Sequence, residues 1–153
     1  MHKFKKYIFL AVLISLSICS GMATGNPITE QSNKYHFESF LGSITSFPYC
    51  APLKQQEYLK INYPKLKVGM TKSEVLNTLP SPNAEFFSYI ERGGERTFKN
   101  SSLAYYLSRK EHRFASDNDA VLFLYFDKFE KLYWSMPDNI KGLSSLGNPA
   151  GAR

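Results

Sequence analysis

The sequence predicts an α+β domain in which short helices come first and antiparallel strands follow. Three observations carry this. Thr71-Lys72-Ser73-Glu74 has the spacing of a helix capping box. The stretch from Glu85 to Asn100 has strand periodicity around Gly93-Gly94, the pair suited to a tight hairpin turn. Two further β runs, Ala120–Asp127 and Lys131–Met136, are joined closely enough to form a second hairpin. A length of 153 residues leaves room for one such domain.

The first 23 residues stand apart from it. Lys3, Lys5 and Lys6 precede an apolar run from Tyr7 to Ile14 that Ser15–Ile18 extends. Gly21 and Ala23 then occupy the −3 and −1 positions of a cleavage after Ala23. The run is too short and too serine-marked for a membrane span, so residues 1–23 are expected to be a signal peptide and the protein to be exported. Leu16-Ser17-Ile18-Cys19 offers an alternative. It is similar to a bacterial lipobox, with Ile18 where a small residue is usual, and lipidation of Cys19 would put the protein on a membrane. Cleavage after Ala23 is the preferred expectation, and membrane association is expected only if Cys19 is lipidated. Export would leave 16 Lys and Arg against 13 Asp and Glu, a formal charge of +3 in place of +6. So mild an excess on an exported protein argues against a nucleic-acid partner. Cys50 has no cysteine partner in the mature chain and is read as a buried or incidental thiol.

Along the mature chain, residues 24–50 read as a flexible tether followed by an aromatic arm, Tyr35 to Tyr49, broken by Gly42 and Pro48. The domain proper is placed at 51–137. A short helix is expected over Ala51–Ile61, with Leu53, Glu57 and Ile61 at four-residue spacing and Leu59 off that line. Pro64 ends it or opens a further turn. Thr71 caps the next helix, Met70 and Val75 are spaced as a hydrophobic staple, and Val75, Leu76 and Leu79 form its buried face. Pro80 and Pro82 close it. Gly69, Met70, Thr71, Glu74 and Val75 are therefore taken as a structural motif.

The hairpin that follows has its register set by charge and ring pairing: Arg92 opposite Glu95, Glu91 opposite Arg96, Ile90 opposite Thr97, Tyr89 opposite Phe98. Residues 101–114 are ambiguous. Leu103, Tyr105 and Leu107 alternate as in a strand, while Leu103, Tyr106, Leu107 and Phe114 also fit a helical stripe. Ser116–Asp119 reads as a solvated turn. Residues 138–153, rich in Gly, Ser and Pro, are expected to be a disordered tail with nothing to bury.

The order of capped helix, "GMT" start, proline exit and closing "FD…L" hairpin resembles the SmpA/OmlA family, which includes a small lipoprotein of the outer-membrane β-barrel assembly machine. Val68, Gly69, Met70, Thr71, Val75, Leu79, Pro82, Phe126, Asp127 and Leu132 carry the resemblance, which covers roughly residues 66–135. Pro80 departs from it by replacing a glycine, and Phe129-Glu130 by replacing Asn-Gly or Asp-Gly, which would strain Glu130 in a left-handed turn position. What the resemblance implies is two short helices packed on one face of a three- to four-stranded antiparallel sheet. It also implies a scaffold or binding role in the bacterial envelope, at the periplasm or outer membrane, linked to outer-membrane assembly or integrity. The same architecture occurs in exported inhibitors of secreted enzymes, so a secreted or periplasmic inhibitor is the alternative.

No catalytic, metal-binding or cofactor-binding residues are predicted. The chain has no H-E-x-x-H, paired C-x-x-C or G-x-S-x-G, and His36 and His112 are far apart in sequence. Asp117, Asp119 and Glu111 are read as solvated rather than as a carboxylate cluster. Asn100-Ser101-Ser102 matches a glycosylation acceptor, relevant only to a eukaryotic secretory route. The positive signal is aromatic: 12 Phe, 10 Tyr and one Trp. Val121, Phe123 and Tyr125 point to one face of their strand, and Leu122, Leu124 and Phe126 to the other. Two helices can cover only one face, and either the 35–49 arm or a partner covers the second. Tyr125, Tyr133 and Trp134 are the expected contact residues for another envelope protein.

Overall fold

The computed structural model describes residues 35–112 and 116–151. The expected signal peptide and cleavage site, Cys19, the expected tether up to residue 34, and Phe114 lie outside the described residues. In chain order the elements are α1 (Phe37–Ser43), β1 (Tyr49–Cys50), α2 (Leu53–Asn62), a 3-10 turn (Tyr63–Lys65), α3 (Lys72–Thr78), β2 (Ala84–Arg92), β3 (Glu95–Arg109), β4 (Ala120–Phe126), β5 (Leu132–Asp138) and a last 3-10 turn (Pro149–Gly151).

All the strand pairs are antiparallel, and β3 is the spine. One edge of β3 pairs with β4, which pairs with β5. Its other edge pairs with β2 along one half and with β1 at the far end. The ambiguity over 101–114 is thus resolved as strand up to Arg109, because Leu103, Tyr105 and Leu107 point into one core while Ala104 and Tyr106 point into another. The β2–β3 hairpin has the register that the charge pairs indicate, from Tyr89 opposite Phe98 to Arg92 opposite Glu95.

Each face of the sheet has its own core. On the first, Leu103, Tyr105, Leu107, Leu122, Leu124, Phe126 and Leu132 meet Leu59 of α2 and Val75 of α3. Two short helices on one face of an antiparallel sheet are therefore present, and full burial of each large side chain there is worth about 1.5–3 kcal/mol. On the second face, Ala84, Ala104, Tyr106 and Val121 meet Phe40 and Leu41 of α1. The aromatic arm thus forms a helix that docks on the sheet, followed by an edge strand.

Two further points emerge. In α2 it is Leu59, 1 % exposed, that faces the core, whereas Leu53 and Ile61 are 75 % and 68 % exposed. The four-residue line through Leu53 and Ile61 lies on the solvent side, because Leu59 and Asn62 together turn the opposite side inward. Nor are the residues after 138 a disordered tail as far as Gly151. Ile140 is buried in the first core and Leu143 and Leu146 pack against it. The Ser135 N–H donates to the Leu146 carbonyl at 2.8 Å, and the Ser135 hydroxyl accepts from the Leu146 N–H at 2.8 Å. The Tyr63 hydroxyl donates to the Ser144 carbonyl and shares a hydrogen bond with Ser135 Oγ, each at 2.6 Å. A polar seam of this kind ties the 3-10 turn, β5 and the C-terminal segment together, which composition alone could not announce.

Candidate partner-binding surface

The second face of the sheet carries a continuous aromatic layer. Phe40 stacks on Tyr106 (5.3 Å between centroids), Phe37 lies 5.8 Å from Tyr106 and 5.6 Å from Phe86, and Phe86 and Tyr106 each lie 6.5 Å from Phe123. From Phe123 the layer passes to Tyr125 (6.1 Å) and then to Trp134, stacked on Tyr125 at 4.6 Å. Alternation places Phe123 and Tyr125 on this face of β4, and cross-strand register sets Trp134 opposite Tyr125. A register shift at this point leaves Tyr133 as the extra residue of a bulge, so its ring also comes within 6.4 Å of Tyr125.

The structure thus brings Tyr125, Tyr133 and Trp134 together as one cluster. All three are half-buried, at the side of the face away from α1. The question of what covers the second face therefore has a divided answer. Helix α1 covers the part over Ala84, Ala104, Tyr106 and Val121, while the β4–β5 part keeps solvent-accessible aromatic surface among the described residues. Burial raises the phenol pKa of Tyr125, with neighbouring Tyr133 adding to it. Burial raises that of Tyr133 too, against a lowering hydrogen bond with Asn100.

The Gly69–Val75 motif lies elsewhere and is structural. Gly69 adopts φ 92° and its N–H donates to the Leu132 carbonyl, while the Leu132 N–H returns to the Met70 carbonyl. The capping box is complete: the Thr71 N–H donates to Glu74 Oε2 at 2.7 Å, and the Glu74 N–H donates to Thr71 Oγ at 3.2 Å. Val75 is fully buried.

Sequence reasoning missed two ion-pair assemblies. Lys72, at the start of α3, reaches Glu85 of β2 (2.9 Å) and Glu130 of the β4–β5 loop (2.7 Å). Its ammonium lies over the rings of Phe87 and Phe126. Burial would lower the Lys72 pKa, but the hydrogen bonds and charges of Glu130 and Glu85 outweigh it and raise the value. Glu130 does take the left-handed conformation that its position suggests, φ 57°, in a hairpin loop where Asp127 Oδ1 accepts from the Phe129 and Lys131 N–H groups. The second assembly corrects the solvated-turn reading of Ser116–Asp119. Asp119 is buried, 3.5 Å from buried Arg109, and accepts from the Lys110 and Ser116 N–H groups. Arg109 lies over the rings of Phe37 and Tyr106 and so ties this turn to α1. Asp117 and Glu111 are exposed, as expected. Cys50 is exposed rather than buried. The partners in both assemblies are 10 to 58 positions apart, with no local signal to mark them.

Among the described residues no three His, Cys, Asp or Glu side chains converge on a metal-sized site. No helix among them is long and apolar enough to cross a membrane. No protein-family model matches the chain, and comparison with curated proteins and with solved structures returns no match.

Proposed function

We propose that this chain is an exported, non-catalytic protein-binding or scaffold module of the bacterial cell envelope, remotely related to the SmpA/OmlA family. The observation that carries the reading is the half-buried Tyr125–Tyr133–Trp134 cluster on the sheet face that α1 leaves partly open. Stacked Tyr and Trp rings present large apolar area at little entropic cost, and such residues dominate the energetics of protein interfaces. The partner is another envelope protein, and neither nucleic acid nor a cofactor enters the activity. Contact with the membrane follows only from a lipidated Cys19.

Affinity capture from the native envelope with Tyr125→Ala and Trp134→Ala variants tests this. The expected result is weaker retention of the captured protein with the melting temperature kept within a few degrees. Lower melting temperatures with undiminished retention would make the cluster part of the core instead. Turnover of an envelope substrate that disappears on replacing Asp117 or His112 would overturn the non-catalytic reading.

A further inference from the structure

Strands β2 and β5 lie at opposite edges of the sheet, and the two edges are finished differently. The outer side of β5 is covered: the Ser135 N–H donates to the Leu146 carbonyl, and Trp134 bridges to Gly147. Among the described residues, the one backbone bond on the outer side of β2 runs from the Glu85 N–H to the Tyr35 carbonyl, at 2.9 Å. Alternation from Glu85 aims the N–H and C=O groups of Phe87, Tyr89 and Glu91 outward as well. The other end of the strand agrees, because a two-residue turn at Gly93-Gly94 closes on Arg92 and Glu95 as the hydrogen-bonded pair. This edge lacks the usual protections against pairing. It is nine residues long, has no Pro or Lys, and the hairpin's bulge falls on β3 at Lys99. Three of the eight exposed large apolar side chains among the described residues, Phe86, Tyr89 and Ile90, lie on this one strand. Strand β4 first meets β3 at Ser101. From Glu95 to Asn100 the hairpin is therefore a two-stranded arm roughly 20 Å long, a form with little stability of its own.

We propose that this edge pairs with β2 of a second copy of the chain, antiparallel across a two-fold axis, so that the two sheets join into one. A row of outward N–H and C=O groups calls for another strand, since a strand supplies the matching row. The length of the free segment says which strand. Tyr35 occupies the edge at Glu85 and the turn begins at Gly93, so Phe86–Arg92 is the stretch left open. Laid antiparallel on itself, that stretch overlaps completely when Tyr89 faces Tyr89 of the second copy. Phe87 then faces Glu91 of the second copy, and every outward backbone group meets its complement. Arg92 falls opposite the Phe86 ring and Ser88 opposite Ile90, so no like charges are set against each other. Moving the axis one residue to Ser88 would oppose Glu85 to Glu91 and drive the second strand into Tyr35. Moving it to Ile90 would give up pairs at both ends. The tips also suit each other, because Glu91, Arg92, Glu95 and Arg96 carry two charges of each sign and approach without net repulsion. Such an interface is isologous, each copy giving and receiving the same contacts. It lies at the opposite edge from the Tyr125 cluster and does not depend on what that cluster binds.

The test is sedimentation velocity of the purified chain over a range of concentrations, with amide hydrogen exchange followed by NMR on the same samples. A monomer–dimer equilibrium is expected, and the amides of Phe87, Tyr89 and Glu91 should gain protection as the dimer fills. Because Tyr89 faces its own copy, Tyr89→Lys and Tyr89→Glu should each weaken self-association about tenfold or more by opposing like charges. An equimolar mixture of the two variants should recover association as a heterodimer, a rescue that unfolded variants could not give. A chain that stays monomeric at millimolar concentration would overturn the inference. So would a dimer indifferent to both substitutions, or a mixture that associates no better than either variant alone. Protection of the three amides in a monomer would hand the edge to a segment of the same chain and overturn it equally.

Discussion

Thr71 and Glu74 close a reciprocal pair of hydrogen bonds across the first turn of α3, so two backbone N–H groups that the helix leaves unpaired are both satisfied. Thr71→Ala is expected to lower stability by about 1 kcal/mol through the lost cap. Val75→Asp should be far worse, because it places an unpaired carboxylate in the first core; denaturant midpoints of the two variants check both. The backbone N–H and then the hydroxyl of Thr71 hold the Glu74 carboxyl below its ordinary pKa. A depressed folded-state value means that this contribution is present above the ordinary carboxylate range and fades as pH falls through the folded value. Wild type and Glu74→Gln should therefore converge in melting temperature as the solution is acidified, and a constant gap would show the carboxylate is not the cause. Gly147 makes a sharper demand. At φ 77° a Cβ would stand 2.1 Å from the Tyr133 carbonyl oxygen, so Gly147→Ala adds that clash to about 1–3 kcal/mol of backbone strain.

At the scale of elements, α2 separates two readings of one sequence. Leu59→Ala should cost about 2–5 kcal/mol and Ile61→Ala no more than about 0.5 kcal/mol, as judged by urea unfolding. The four-residue spacing of Leu53 and Ile61 did not say which side of α2 faces the core, because ten residues with few apolar positions fit more than one helical stripe. The β2–β3 hairpin was legible for the opposite reason. Gly93-Gly94 sets the turn, two charge pairs and one ring pair agree on the register, and a one-residue slip would break all of them. Lys72 is where elements are stitched together: α3, β2 and the β4–β5 loop converge on its ammonium. Lys72→Ala should destabilise by about 1–3 kcal/mol, because Glu85 then loses a charged hydrogen-bond partner in a largely buried position. Combining it with Glu85→Ala should cost less than the two single changes added together.

For the molecule as a whole, the helix-then-strand order and the capped α3 could be read in advance, since both rest on local patterns of period and capping. The Tyr125–Tyr133–Trp134 cluster was also within reach, because strand alternation and hairpin pairing put those residues side by side. What was hidden depends on distant partners. Nothing near Ile140, Leu143 or Leu146 announces that Tyr63 and Ser135 wait to hold that segment, and a Gly/Ser/Pro composition suggests the reverse. Likewise Asp119 looks solvated until Arg109 closes on it beneath α1. Truncation after Asp138 should therefore expose the first core and abolish cooperative unfolding, where a dispensable tail would leave the midpoint unchanged. The central claim is that the aromatic cluster is a protein-contact surface, and Trp134, the one tryptophan of the chain, reports on it directly. When the protein captured from the envelope is titrated into the purified chain, Trp134 emission should shift to the blue at saturation as water leaves the Tyr125–Trp134 stack. A complex that forms by size-exclusion chromatography with the emission of Trp134 unmoved would contradict it.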